Sequence, residues 1–172
     1  MLVLSILAAL VLDGGIVLLR ASRERRAGFG AARWIWIWKA PRRIPIRFSA
    51  ESSFTLAARP RKSVARVLAS PRFELWFNGA RAGEGAWRPG DGAASFDVTP
   101  LLREGENRVS IVADSPDGVG GILFSLTDGA GPPILVSGPD WTVDPPWAST
   151  PAARSQPAAV LGPPPRYPWG MP

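Results

Sequence analysis

The chain has 172 residues, 46% of them hydrophobic, with 19 prolines, 18 glycines, no cysteine and no histidine. That allows one domain of ordinary size with appendages, and it excludes a disulfide framework, thiolate or imidazole metal sites and Ser-His-Asp chemistry. The formal charge of +6 is uneven: residues 20–66 carry 13 basic side chains against Glu24 and Glu51, whereas residues 67–172 carry 7 against 11 acidic ones.

Residues 2–19, LVLSILAALVLDGGIVLL, hold one charge, Asp13. Eighteen helical residues span about 27 Å, close to the roughly 30 Å hydrocarbon core. The Leu, Ile and Val side chains favour insertion by about 5 kcal/mol and the central Asp opposes it by about 3. Residues 1–20 are therefore expected to be a membrane anchor or signal segment, with the lipid bilayer as partner through residues 2–19. A signal peptide would want a positive start and a small-residue cleavage site, and neither is present. Arg20, Arg23, Arg25 and Arg26 follow at once, which by the positive-inside rule holds the following domain in the cytoplasm. Residues 21–32 read as a basic, flexible linker.

From residue 33 the pattern is of strands. WIWIW at 34–38 alternates two side-chain sets and places Trp34, Trp36 and Trp38 on one face. Ile44, Ile46 and Phe48 alternate with Pro45, which points to an edge strand, and Phe54 and Leu56 continue it. Val64 to Leu68 make another. RFELWF at 72–77 turns Phe73, Leu75 and Phe77 one way and Arg72, Glu74 and Trp76 the other. Asn78-Gly79 is a strong hairpin signal because both residues tolerate positive φ. The Gly- and Ala-rich stretch to Gly92 reads as a loop carrying Trp87 and Arg88. Phe96 and Val98 follow. Thr99-Pro100 reads as a helix N-cap with proline at N1, making LLRE one helical turn stopped by Gly105. Val109–Ala113, Ile122–Leu126 and Ile134–Val136 close the series. Eight or nine short strands without an intervening helix give an all-β antiparallel β-sandwich, a jelly roll over residues 33–147, preceded by an apolar helix. Residues 148–172 are a Pro-rich tail, with Val160, Leu161, Tyr167 and Trp169 able to pack back on the sandwich.

The opening ARWIW, the hairpin FELWFNGARAGEG, then SFDVTPLLREGENRVSI, GILFSL, SGPDWTV and the closing AAVLGPPPRYPWG occur together in that order. As a set they resemble galactose-binding-like jelly-roll modules, in particular the N-terminal domain of α-L-rhamnosidases and the sugar-binding domain of the β-galactosidase family. The resemblance covers about two-thirds of the chain. In those enzymes such a module precedes a large catalytic barrel, for which these residues have no counterpart. It implies a non-catalytic carbohydrate-binding or glycosidase-accessory role, with a partner enzyme as one possible associate. It also implies an extracytoplasmic domain, against the arginines after the apolar run. Asn78-Gly79, Asp97, Thr99, Gly105 and Asn107 then read as determinants of the fold.

An enzymatic reading finds little support. Jelly-roll glycosidases use two facing carboxylates, and Glu74 is the one glutamate placed mid-strand with no such partner; beside Arg72 it reads as a solvated strand face. No cofactor is implied. Asp114-Ser-Pro-Asp-Gly118 is a loop able to offer oxygens to calcium, without a diagnostic spacing. Eight tryptophans suggest sugar stacking, because the C–H face of a pyranose packs on an indole ring. Trp87, in a polar loop, with Arg88 and Asn78, makes the candidate carbohydrate contacts. Nucleic acid is disfavoured: 18 of the 20 basic residues are arginine in a chain rich in Ala, Gly and Pro, a bias of composition, and they fall in turns. The alternative function is a scaffold that docks on a partner protein without binding sugar.

Overall fold

The computed structural model describes residues 28–40, 42–88, 90–129, 131–148 and 155–164. Among these, the strands are β1 (Trp34–Trp36), β2 (Ile46–Leu56), β3 (Ser63–Ser70), β4 (Arg72–Phe77), β5 (Ala80–Ala86) and β6 (Ala94–Asp97). After a 3-10 turn at Thr99–Leu101 come β7 (Gly105–Ser115), β8 (Gly121–Asp128), β9 (Pro133–Val136), β10 (Thr142–Asp144), β11 (Gln156–Pro157) and β12 (Ala159–Gly162). One sheet runs β12-β1-β8-β3-β6 with β9 also on β8; the other runs β11-β10-β2-β7-β4-β5. All pairings are antiparallel. The fold is thus the expected all-β sandwich. The expected helix over residues 1–20 lies outside the described residues, among which no helix is long and apolar enough to cross a membrane.

The core forms where the two inner faces meet. Phe48, Phe73, Leu75, Phe77, Val109 and Ile111 of the second sheet bury against Ala65, Val67, Ile122, Phe124 and Leu126 of the first. Ring contacts tie the layers: Phe77 to Phe124 at 6.4 Å and Trp36 edge-on to Phe48 at 4.9 Å. Alternation along β8 sends Leu123 to the other side of its sheet. There it joins Leu68, Phe29, Ala32, Trp34 and Trp87 in a second, smaller cluster.

Several expectations change. The three tryptophans of WIWIW do not share a face. The register against β12 shifts between Trp34 and Ile35; Trp34 enters the outer cluster, Trp36 the main core, and Trp38 is 62% exposed beyond the strand. Pro45 lies before β2 and not within it, so β2 keeps all its donors and sits centrally between β10 and β7. The stretch after Asn78-Gly79 is strand β5, not loop. Its glycines make room: a Cβ at Gly85 would come within 2.8 Å of the Phe73 ring, and one at Gly83 would overlap Phe96. The helical turn is Thr99–Leu101 and not LLRE, with Val98 at its N-cap. Thr99 instead accepts the Ser63 amide on Oγ1 and donates both its N–H and its hydroxyl to Asp97.

Both flanks contribute. Phe29 and Ala32, within the stretch read as linker, are buried, and Ser125 donates to the Gly28 carbonyl at 2.5 Å. In the tail, β11 pairs β10 and β12 pairs β1, so Val160 and Leu161 do return to the sandwich. Tyr167 and Trp169 lie outside the described residues.

Candidate functional site

The three residues singled out for sugar contact are not brought together. Asn78 begins the β4–β5 turn, with φ of 52°. Trp87 and Arg88 follow the far end of β5, a strand's length away. The Trp87 ring is 2% exposed, 5.6 Å from the Trp34 ring, and its indole N–H donates to the Asp91 carbonyl at 2.8 Å. Neither face of that indole is open to a ligand here. Arg88 is exposed beside it, its amide donating to the Asp91 carboxylate.

Asn78 is fully engaged in structure. Its amide donates to the Leu101 carbonyl and to Asn107 Oδ1, both at 2.9 Å, and its Oδ1 accepts the Arg108 N–H. Buried Asn107 in turn donates to the carbonyls of Arg103 and Gly105 and accepts the Arg103 amide. Two asparagines thereby hold the hairpin, the 3-10 turn and the start of β7 in one frame. The calcium reading of 114–118 meets a similar closure: Asp117 accepts the Ser115 hydroxyl and the Val119 amide. Among the described residues no group of three or more metal-ligating side chains gathers.

The concave surface lies elsewhere, on the outward face of the second sheet. Residues opposite one another in antiparallel strands share a face, so the register lays out a grid. Arg81, Trp76, Ser110, Glu51 and Thr142 form one row across β5, β4, β7, β2 and β10. The next row is Glu84, Glu74, Val112, Ser49 and Asp144; a third holds Arg72, Asp114 and Arg47. Two depressions flank Val112. One, about 340 Å³, is lined by Trp76, Glu51, Arg108, Ser110 and the Asn78-Gly79 turn. The other, about 430 Å³, is lined by Arg47, Arg72, Glu74, Glu84 and Asp114 among others.

Ion pairs stitch this face: Arg47 to Glu74 at 2.7 Å, Arg72 to Asp114 at 3.2 Å, and Arg108 to Glu51. The hydrogen bond from Arg47 holds the Glu74 carboxyl below the usual carboxylate range, with Arg81 adding its charge. The face therefore offers one half-buried aromatic ring among paired donors and acceptors. Trp76 was visible in the sequence as an outward member of RFELWF; Trp87 read as a loop residue because Gly83 and Gly85 before it hid strand β5.

No family model matches the chain, and no curated protein matches it. Solved structures do. A GH78 family rhamnosidase of Bacillus sp. GL1 is similar over 81% of this chain and 19% of its own, at 18% identity and TM-score 0.70. An α-L-rhamnosidase of Streptomyces avermitilis, complexed with L-rhamnose, matches over 81% of this chain and 15% of its own, at 18% identity and TM-score 0.66. A lectin of Pleurotus ostreatus in complex with GalNAc matches over 82% and 46%, at 19% identity and TM-score 0.63. The chain spans less than half of each neighbour. These likenesses establish the galactose-binding-like β-sandwich fold that the sequence resemblance implied.

Proposed function

We propose that this protein is a non-catalytic carbohydrate-binding module whose contact surface is the outward face of the second sheet. The observation that carries the reading is Trp76, a half-buried indole set among arginine–carboxylate pairs above a depression of about 340 Å³. A sugar ring presents C–H groups to an aromatic face and hydroxyls at its edge, and this arrangement answers both. The fold, shared with a lectin and with portions of rhamnosidases, supports the reading. Catalysis is disfavoured by the state of Glu74: a glycosidase acid needs a raised pKa, and Arg47 lowers this one. Tethering through residues 2–19 and an extracytoplasmic domain remain part of the proposal, supported by the apolar run and by where glycans are found.

A fluorescence titration of the full chain against mono- and oligosaccharides tests it. Saturable quenching lost in Trp76→Ala and kept in Trp87→Ala is the expected result. Trp87→Ala should instead cost about 3–5 kcal/mol of stability, the usual penalty for emptying a core aromatic. Quenching that disappears only with Trp87 or Arg88 would move the site to the 87–92 loop. Silence to every sugar would favour the docking scaffold, for which Trp38 and Ile44, 62% and 54% exposed, are the motivating observation.

A further inference from the structure

The two depressions on the second sheet share Val112 and open on the same face. Along β4, Trp76 and Arg72 are separated by four residues, about 13 Å at the rise of a strand. A single pyranose stacked on Trp76 does not reach the Arg72–Asp114 pair; two or three linked rings do, crossing over Val112. That crossing point is apolar, so it leaves no polar group stripped of its partner when a ring covers it.

Charge narrows the ligand further. The side chains of this face include four arginines, Arg81 among them, and five carboxylates, a local charge of −1 on a chain whose formal charge is +6. An acidic polymer is therefore repelled where the depressions are and attracted elsewhere. Each arginine of the face is already engaged by a carboxylate, Arg81 by Glu84 at 2.5 Å. Such a pair sets a donor beside an acceptor, and adjacent sugar hydroxyls match it, one accepting from the guanidinium while its neighbour donates to the carboxylate.

Resting on the carbohydrate reading above, we infer that the ligand is an uncharged glycan chain bound over at least two consecutive sugar units. One unit stacks on Trp76, and the next meets the Arg47–Glu74 and Arg72–Asp114 pairs. The face reads a stretch of chain in preference to one terminal or acidic sugar.

Calorimetric titration of the full chain decides it, using neutral monosaccharides, their di- to hexasaccharides of several linkages, and polygalacturonate. For the sugar series that binds, affinity should rise at least about tenfold, near 1.4 kcal/mol, from mono- to tetrasaccharide and then level off. Arg72→Ala, a side chain 68% exposed, should return the tetrasaccharide to monosaccharide affinity, and Trp76→Ala should abolish both, with melting temperatures unchanged in the arginine variant. Equal affinity for mono- and tetrasaccharide, or preference for the uronate polymer, would overturn this inference while leaving sugar binding intact. Absence of any binding across the panel would remove the carbohydrate reading itself, and this inference with it.

Discussion

Asp97 and Thr99 show how a polar side chain acts as a piece of backbone. Asp97 takes the Thr99 N–H and hydroxyl, at 3.0 and 2.6 Å, while Thr99 Oγ1 accepts the Ser63 amide at 2.8 Å. The turn is thus bonded to the start of β3 without a regular ladder. Those two bonds favour the charged carboxylate and lower the Asp97 pKa. A group whose folded pKa lies below its unfolded value contributes stability that is complete above the unfolded pKa and is lost as pH falls through the folded one. Glu74, lowered by Arg47, contributes in the same direction. Melting temperature should accordingly hold level above about pH 5 and drop below about pH 4, where carboxylates protonate. In Asp97→Asn the drop should be shallower, because one linked proton is gone. Parallel curves for the two proteins would show that folding leaves the Asp97 pKa where it is in the unfolded chain.

The hairpin β4–β5 shows what a strand demands of its glycines and why its outline was only half legible. RFELWF announced β4 by its alternation, and Asn78-Gly79 announced the turn, with φ of 52° and 82°. The partner strand ARAGEGA carries no such alternation, because its contribution to packing is the space it leaves. Phe73 and Phe96, edge-on at 6.2 Å, lie where Cβ atoms at Gly85 and Gly83 would be. Local composition therefore pointed to loop while a tertiary contact made strand, and the loop reading placed Trp87 among the candidate contacts and left Trp76 out of them. Gly83→Val should overpack this contact and cost about 1–3 kcal/mol, whereas Gly92→Ala, in open space and without a positive φ, should cost little. Chemical denaturation measures both; equal losses would mean that the phenyl rings simply move aside. Fold class was legible because periodicity is local, but the outward face of the second sheet depends on which strands become neighbours. The pairing of Trp76 with Ser110 and of Ser110 with Glu51 joins β4, β7 and β2 across long sequence distances.

At the scale of the whole molecule, the last described segment completes both layers. β11 extends the second sheet and β12 closes on β1 in the first. The arrangement matters most to β1, three residues long, which touches β8 in register only at Ile35–Ile122 and takes the rest of its pairing from Ala159–Gly162. Those three residues, Trp34, Ile35 and Trp36, are at most 5% exposed. They bridge the two clusters: Trp34 lies against Trp87 on the outside, and Trp36 lies against Phe48 inside, donating to the Gly118 carbonyl at 3.2 Å. The segment that composition marked as an extended tail is thus what fixes the first strand of the sandwich. Ending the chain at residue 154 should release β1, expose an apolar strand edge and loosen both clusters. The expected loss is about 3–5 kcal/mol, equivalent to a core aromatic, or a fall on the order of 10 °C in Tm for a chain of this size. Tryptophan emission should shift to the red, and the shortened chain should self-associate through the exposed edge. An unchanged Tm and spectrum would show that Ile35–Ile122 pairing and side-chain burial hold β1 alone. In that case β12 would be an addition to a finished sandwich and not its closing strand.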